Sequence, residues 1–300
     1  MKLKSKLQTP MAAAWIGLVS NIALTILKLM VGFLFQSPSL IADGFHNLAD
    51  IAASGATLGS MRISKMPADR EHPYGHGKAE VIASGMVAIV LLLISLFMIY
   101  ESVAALFEPF VEAHVLSLLA AVISLIWKQI LYVYTIKIGK RVNSKGLIAT
   151  AYDHLSDVYA SLAAVVGIGL ALWGQHQSVP FAEYGDPLAS IVVSLLILRV
   201  AIHMGKEAVD ILMERNIPEE ELKIYRELIL KVDGVKRIDQ LRGREHGHYR
   251  LIDVRVGVPA DLTVKEGHDI ASRVKETLMN EFQEIQEVFV HVNPWQPPEP

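Results

Sequence analysis

VIASGMVAIVLLLISLFMIY, residues 81–100, runs for twenty positions without a charged side chain. About 20 such residues in a helix are needed to cross the hydrocarbon of a bilayer, so this stretch reads as a membrane span and sets the class of the whole chain. Outward from it lie further apolar segments, placing six spans near 11–34, 38–62, 80–106, 113–136, 147–172 and 185–209. The second and fifth are the most polar. The 300 residues are 52% hydrophobic and mean hydropathy is +0.37, above the balance of ordinary soluble domains. There is no cysteine, which excludes thiolate zinc sites, disulfide scaffolds and a cysteine nucleophile. The apolar segment behind Lys2, Lys4 and Lys6 is too long for a cleaved signal.

The loops sort by charge. The amino terminus, the 62–78 connection (Arg62, Lys65, Arg70, Lys78) and the 137–145 connection (Lys137, Lys140, Arg141, Lys145) are basic, whereas QSP, EPFVEAH and GQHQSVPFAEYGD carry no Lys or Arg. The positive-inside rule then places both termini in the cytoplasm of a multi-pass protein of the cell (plasma or inner) membrane. Arg199 and Lys128 are expected to snorkel from the spans.

Past residue 212 the composition changes. PEEELKIYRELILKV reads as an amphipathic helix, VKRIDQLRGR and YRLIDVRVGV as strands around the turn EHGH, KEGHDIASRVKETLMNEF as a helix and EVFVHVNP as a strand. The expected architecture is an all-α, six-helix transmembrane domain over 1–211, followed by a small cytoplasmic α+β domain, ordered α-β-β-α-β, over 212–293. A tail fills 294–300. Nothing suggests a nucleic-acid partner.

Two short segments carry the chemistry. ADGFHNLADIAAS, residues 42–54, holds Asp43, His46 and Asp50, and YDHLSDVYAS, residues 152–161, holds Asp153 and Asp157. Residues four apart share a helix face, so His46 projects with Asp50 and Asp153 with Asp157. Each carboxylate at membrane depth costs about 2.5–3.5 kcal/mol, and three uncompensated ones roughly 8 kcal/mol; a cation, protonation or water must offset this. Gly44, Ala49, Ala52, Ala53, Ser156 and Ala160 allow close helix approach. One imidazole and three carboxylates make a ligand set for a divalent transition metal. Asp43 is read as supporting this site from behind or lining the route into it, and His154 as packing.

HxxxD in the second span, a matching pair in the fifth, HPYGHGKAE (72–80) before the third and the terminal α+β domain together resemble the cation diffusion facilitator family over nearly the whole chain. The resemblance implies a homodimeric exporter, not an enzyme, that exchanges divalent metal for protons, with His46, Asp50, Asp153 and Asp157 as the transport site. It implies no cofactor beyond the ions themselves: Mn2+, Zn2+ or Fe2+. Zinc-transporting members commonly carry His where Asp153 stands; the extra carboxylate makes the site harder and leans it towards Mn2+. By the same resemblance Asp69, His72 and His76 form a second metal site in the basic loop, with Tyr74 packing beside it. The soluble domain is expected to be ferredoxin-like, or metallochaperone-like, and to bind metal through Asp239, Asp253, His268 and His291. Arg255 and Asn293 depart from ligands that some members carry, and His246 and His248 read as a solvated turn. Lys78 and Glu214 match a charge interlock between subunits. The alternatives are a divalent-cation channel without proton coupling and a membrane metalloenzyme, although no HExxH or GxSxG motif occurs.

Overall fold

A computed structural model describes residues 10–107, 112–142, 144–179 and 181–296. Lys2, Lys4, Lys6, part of EPFVEAH, the side chain of Lys145 and the last tail residues lie outside the described residues. Six long helices come first: α1 (Pro10–Leu34), α2 (Pro38–Ser64), α3 (Ala79–Ala104), α4 (Val115–Arg141), α5 (Lys145–Gln177) and α6 (Gly185–Leu212). Among the described residues five of these are long and apolar enough to cross a membrane; α2, which holds His46 and Asp50, is too polar to count by composition. Then follow α7 (Glu219–Leu230), β1 (Arg237–Glu245), β2 (Arg250–Pro259), α8 (Val264–Glu281) and β3 (Ile285–Trp295).

The chain divides into two compact units, Met1–Ala56 with Met86–Gly205, and Thr57–Gly85 with Lys206–Pro300. The first is packed inside out. Many of its buried positions are small or polar, such as Ala42, Ala49, Ala121, Ala160, Ala164, Ser124 and Ser161, beside larger ones such as Leu40, Leu91, Ile168 and Ile197, while Trp15, Val19, Ile22, Ile26, Met30 and Phe33 form an exposed stripe along α1. In a bilayer, where tails solvate large apolar side chains, small residues let helix backbones approach and dispersion holds them. Gly167 on α5 illustrates the limit: a Cβ there would stand 2.2 Å from the Ala189 Cβ and 2.7 Å from the Gly185 carbonyl.

The turn between α1 and α2 is closed by Ser37 N–H donating to the Gly32 carbonyl at 2.9 Å, with Gln36 left-handed at φ 50°. Asp186, near the start of α6, then caps α2 from another helix. It accepts from the Ser39 N–H at 2.9 Å and from the Ser37 hydroxyl at 2.7 Å, meeting orphan donors of the first turn. This positions α2, and with it His46 and Asp50.

In the second unit three strands lie in the order β1-β2-β3, the first pair antiparallel and the second parallel, with α8 as the crossover. Ile252, Val254, Val256 and Val258 alternate onto the core face, against Leu222, Tyr225 and Ile229 of α7 and Ile270, Val274 and Leu278 of α8. Thr263 and Glu266 form a reciprocal capping box that starts α8. The expected α-β-β-α-β order is the observed one. By packing, residues 57–85 group with the carboxy-terminal unit.

Candidate metal centre

α2 and α5 bring an imidazole and a carboxylate together. His46 Nε2 lies 3.2 Å from Asp157 Oδ1, and both side chains are buried. Asp50 stands one turn along α2 from His46, half-buried. Asp153, one turn before Asp157, is exposed on the single chain. The structure thus pairs His46 with Asp157, leaves Asp153 at the rim, and among the described residues does not bring three ligand atoms of His46, Asp50, Asp153 and Asp157 within 4.8 Å of one another.

Two lysines meet these carboxylates. Lys128 was expected to snorkel, but its side chain is fully buried and pairs with Asp157 Oδ2. It sits thirteen residues from each end of Val115–Arg141, roughly 20 Å at 1.5 Å per residue, too far for a four-carbon stem to reach water. Its Nζ also donates to Asn21 Oδ1 at 2.8 Å. Lys28, likewise buried, pairs with Asp43 Oδ2 at 2.7 Å. Ser161 Oγ closes that triangle, donating to Asp43 Oδ2 at 2.8 Å and accepting from Lys28 Nζ at 3.1 Å. Asp43 therefore neutralises Lys28. His154 is buried, with Nδ1 3.9 Å from Asp157 Oδ2.

In the second unit Asp69, His72 and His76 place one ligand atom each within 4.8 Å of the others. His72 Nδ1 is 3.4 Å from Asp69 Oδ1, and His76 Nε2 is 3.5 Å from Asp69 Oδ2. Ligands about 2.1 Å from a tetrahedral ion stand about 3.4 Å apart, so the spacing fits. Asp69 Oδ1 accepts from the backbone N–H of His72 at 2.6 Å and of Glu71 at 2.9 Å. These bonds to the ionised form hold its carboxyl below the usual range. Tyr74 packs edge-on to Phe289, and its carbonyl accepts from the Tyr249 hydroxyl at 2.6 Å.

The turn EHGH meets this loop. A Cβ on Gly77 would stand 1.9 Å from the His246 carbonyl, and one on Gly247 (φ +76°) 2.1 Å from the Gly77 carbonyl. His248 Nδ1 lies 2.9 Å from Ser64 Oγ. His246 is buried, and burial lowers its pKa. His246, expected to be solvated, is therefore packed, whereas His248 is exposed as expected while touching Ser64. Lys78 pairs with Glu214, which also receives Arg244 Nε at 3.0 Å; both pairs lie within one chain.

The four candidates of the terminal domain stand apart. Asp239 is tied to Arg237 Nε at 2.6 Å and accepts from Asn293 Nδ2 at 2.7 Å. Asp253 pairs with Arg244 at 3.2 Å and shares a shallow hollow with Arg255 and His291. His268 is exposed on α8. Among the described residues these four do not converge on one point within a chain.

Against this geometry, residues 14–213 match the cation efflux transmembrane domain and 217–295 the cation efflux protein cytoplasmic domain. The chain belongs to the cation efflux family. Among its relatives are the manganese efflux system protein MneP of Bacillus subtilis, 42% identical over 94% of this chain and 95% of that one, and MneS of the same organism, 31% identical over 98% and 99%. The magnetosome protein MamB of Magnetospirillum gryphiswaldense is 31% identical over 93% and 92%. As a cation efflux protein with apolar membrane-length helices, the chain is a multi-pass membrane transporter of metal cations, with a small α/β cytoplasmic domain.

For this cation efflux protein, sequence reasoning missed Lys28, Asn21, Ser161 and Asp186 and misplaced Lys128. A signal existed for the lysines: an ionisable residue deep in an apolar helix is expensive and implies a partner. Which partner follows only from packing.

Proposed function

We propose that the protein exports divalent transition-metal cations, foremost Mn2+, from the cytoplasm in exchange for protons, by alternating access in a homodimer. The observation that carries this reading is the buried pairing of His46 from α2 with Asp157 from α5, with Asp50 one turn from His46 along the same helix. Asp153, accessible at the rim, adds a fourth, hard ligand. The manganese efflux relatives support the choice of ion, as does a set dominated by carboxylate oxygen.

Metal arriving from the cytoplasm displaces protons from this set and neutralises its carboxylates, so the loaded site reorients at lower cost. Protons returning on the far side release the ion. An imidazole with an ordinary pKa near 6.5 suits that exchange. Asp69, His72 and His76 form a second, exposed site beside the start of α3. The cytoplasmic domain dimerises, and Asp239, Asp253, His268 and His291 act across that interface. Lys78 and Glu214 anchor the level where the subunits meet.

Reconstituted vesicles with an internal pH dye test the proposal. Mn2+ addition drives proton flux in the wild type, and Asp157→Ala, compared at equal amounts of folded dimer because it strands the Lys128 ammonium, abolishes it. Normal flux in that variant rejects the site. Mn2+ passage without proton movement would instead identify a channel.

A further inference from the structure

Asp157 has each carboxylate oxygen engaged by a different helix: Oδ1 faces His46 of α2, and Oδ2 holds the Lys128 ammonium of α4. We propose that Lys128 is a tethered cation that competes with the transported ion for Asp157, so that loading exchanges ammonium for metal and unloading reverses the exchange. The inference rests on the reading of His46, Asp50 and Asp157 as transport ligands.

A divalent ion bound by Asp157 needs the lone pairs that Lys128 now holds. Two cations crowded onto one carboxylate repel strongly in a water-poor interior. The ammonium is a compact charge on a flexible stem with three donors, and one of them already reaches Asn21 Oδ1 at 2.8 Å. Pivoting towards α1 therefore frees Oδ2 while Lys128 keeps a partner. The neighbouring pair is built differently. Lys28, Ser161 and Asp43 Oδ2 close a triangle of their own, and among the described residues no imidazole pairs with that oxygen. That pair is a brace, whereas Lys128 bridges three helices through one contested carboxylate. In the return half of the cycle the ammonium would keep Asp157 compensated, so a bare carboxylate never crosses the apolar interior.

The test is Mn2+ titration calorimetry at fixed pH on the full-length protein in micelles, comparing wild type, Lys128→Gln, Lys128→Arg and Asp157→Ala. Removing the competitor should tighten Mn2+ binding at least about tenfold, equivalent to 1.4 kcal/mol, and slow turnover in vesicles; Lys128→Arg should stay near wild type. An unchanged or weaker affinity in Lys128→Gln overturns the proposal, and is also what a purely structural lysine would give. An unchanged number of Mn2+ ions bound in Asp157→Ala, counted against those that Asp69, His72, His76 and the cytoplasmic domain retain, instead removes the underlying site, whatever Lys128→Gln does. Should Lys128→Gln or Lys128→Met fold poorly, their melting in Mn2+ decides. Ion and ammonium that substitute for each other predict a larger Mn2+-induced rise in Tm than in wild type, and an equal or smaller rise refutes the exchange.

Discussion

Lys28 and Asp43 form a buried pair in which each side chain offsets the other's charge. Removing one member of a buried pair leaves an uncompensated charge, which costs about 3–5 kcal/mol, while replacing both with apolar groups is often near neutral. Asp43→Ala should therefore lower the melting temperature in micelles markedly, and Lys28→Met with Asp43→Leu should recover much of the loss. Equal damage in the double variant would show that the pair does more than neutralise itself. Asp153 can be probed apart from folding because its side chain is exposed. Asp153→His should move the uptake ranking in proteoliposomes from Mn2+ towards Zn2+, and an unchanged ranking defeats the reasoning from ligand hardness. The two i,i+4 pairs were legible in the sequence because helical spacing alone puts their members on one face. The lysines were not, since Asn21, Lys28 and Lys128 reach the carboxylates from helices whose neighbours only tertiary packing decides.

Among the elements, α2 is the least apolar of the long helices and depends on outside help for its first turn. Asp186→Ala removes the acceptor for Ser37 and Ser39; losses of capping residues run about 0.5–2 kcal/mol, measurable as a lower unfolding midpoint in micelles. Asp186→Asn, which keeps one acceptor oxygen, should lose less. At Gly167 the obstruction for any larger residue is backbone as well as side chain. Gly167→Val should push α5 and α6 apart at an overpacking cost of about 1–3 kcal/mol, whereas the open position Gly169 should accept Ala with little change. Hydropathy made the helices legible almost to their ends. It could not show that Gly167 is a contact point, because Gly59, Gly167 and Gly169 look alike until a neighbour is placed against one of them.

At the scale of the whole molecule, composition marked the change from membrane helices to a soluble α+β fold, but it hid the membership of residues 57–85 in the carboxy-terminal unit. That assignment depends on contacts such as Tyr249 to Tyr74 and Gly247 to Gly77, made between residues some 170 positions apart, which no local pattern reveals. These contacts carry a pH signature. Burial lowers the pKa of His246 in the folded chain, so the unfolded segment binds a proton first as pH drops. Stability of the loop against the hairpin should fall below about pH 6.5, the ordinary imidazole value, and level off once the folded pKa is passed. Asp69 works in the opposite range. Its depressed pKa makes its turn fully stabilising above about pH 4, and that contribution is lost as pH falls through the folded value. Amide exchange over residues 64–80, corrected for intrinsic rates, should show lower protection at pH 5.5 than at 7.5. Equal protection would mean that His246 is not buried in solution.

Glu214 is left-handed at φ 62° and is also the acceptor for Lys78 and Arg244. Backbone shape and charge are therefore superimposed on one position, and the usual substitutions disturb both at once. Glycine relaxes the backbone as it deletes the carboxylate, and alanine deletes the carboxylate while keeping the strain. Asparagine tolerates this region of φ/ψ and carries no charge, so Glu214→Asn is the exchange by which engineers can silence the electrostatics of the joint and keep its bend.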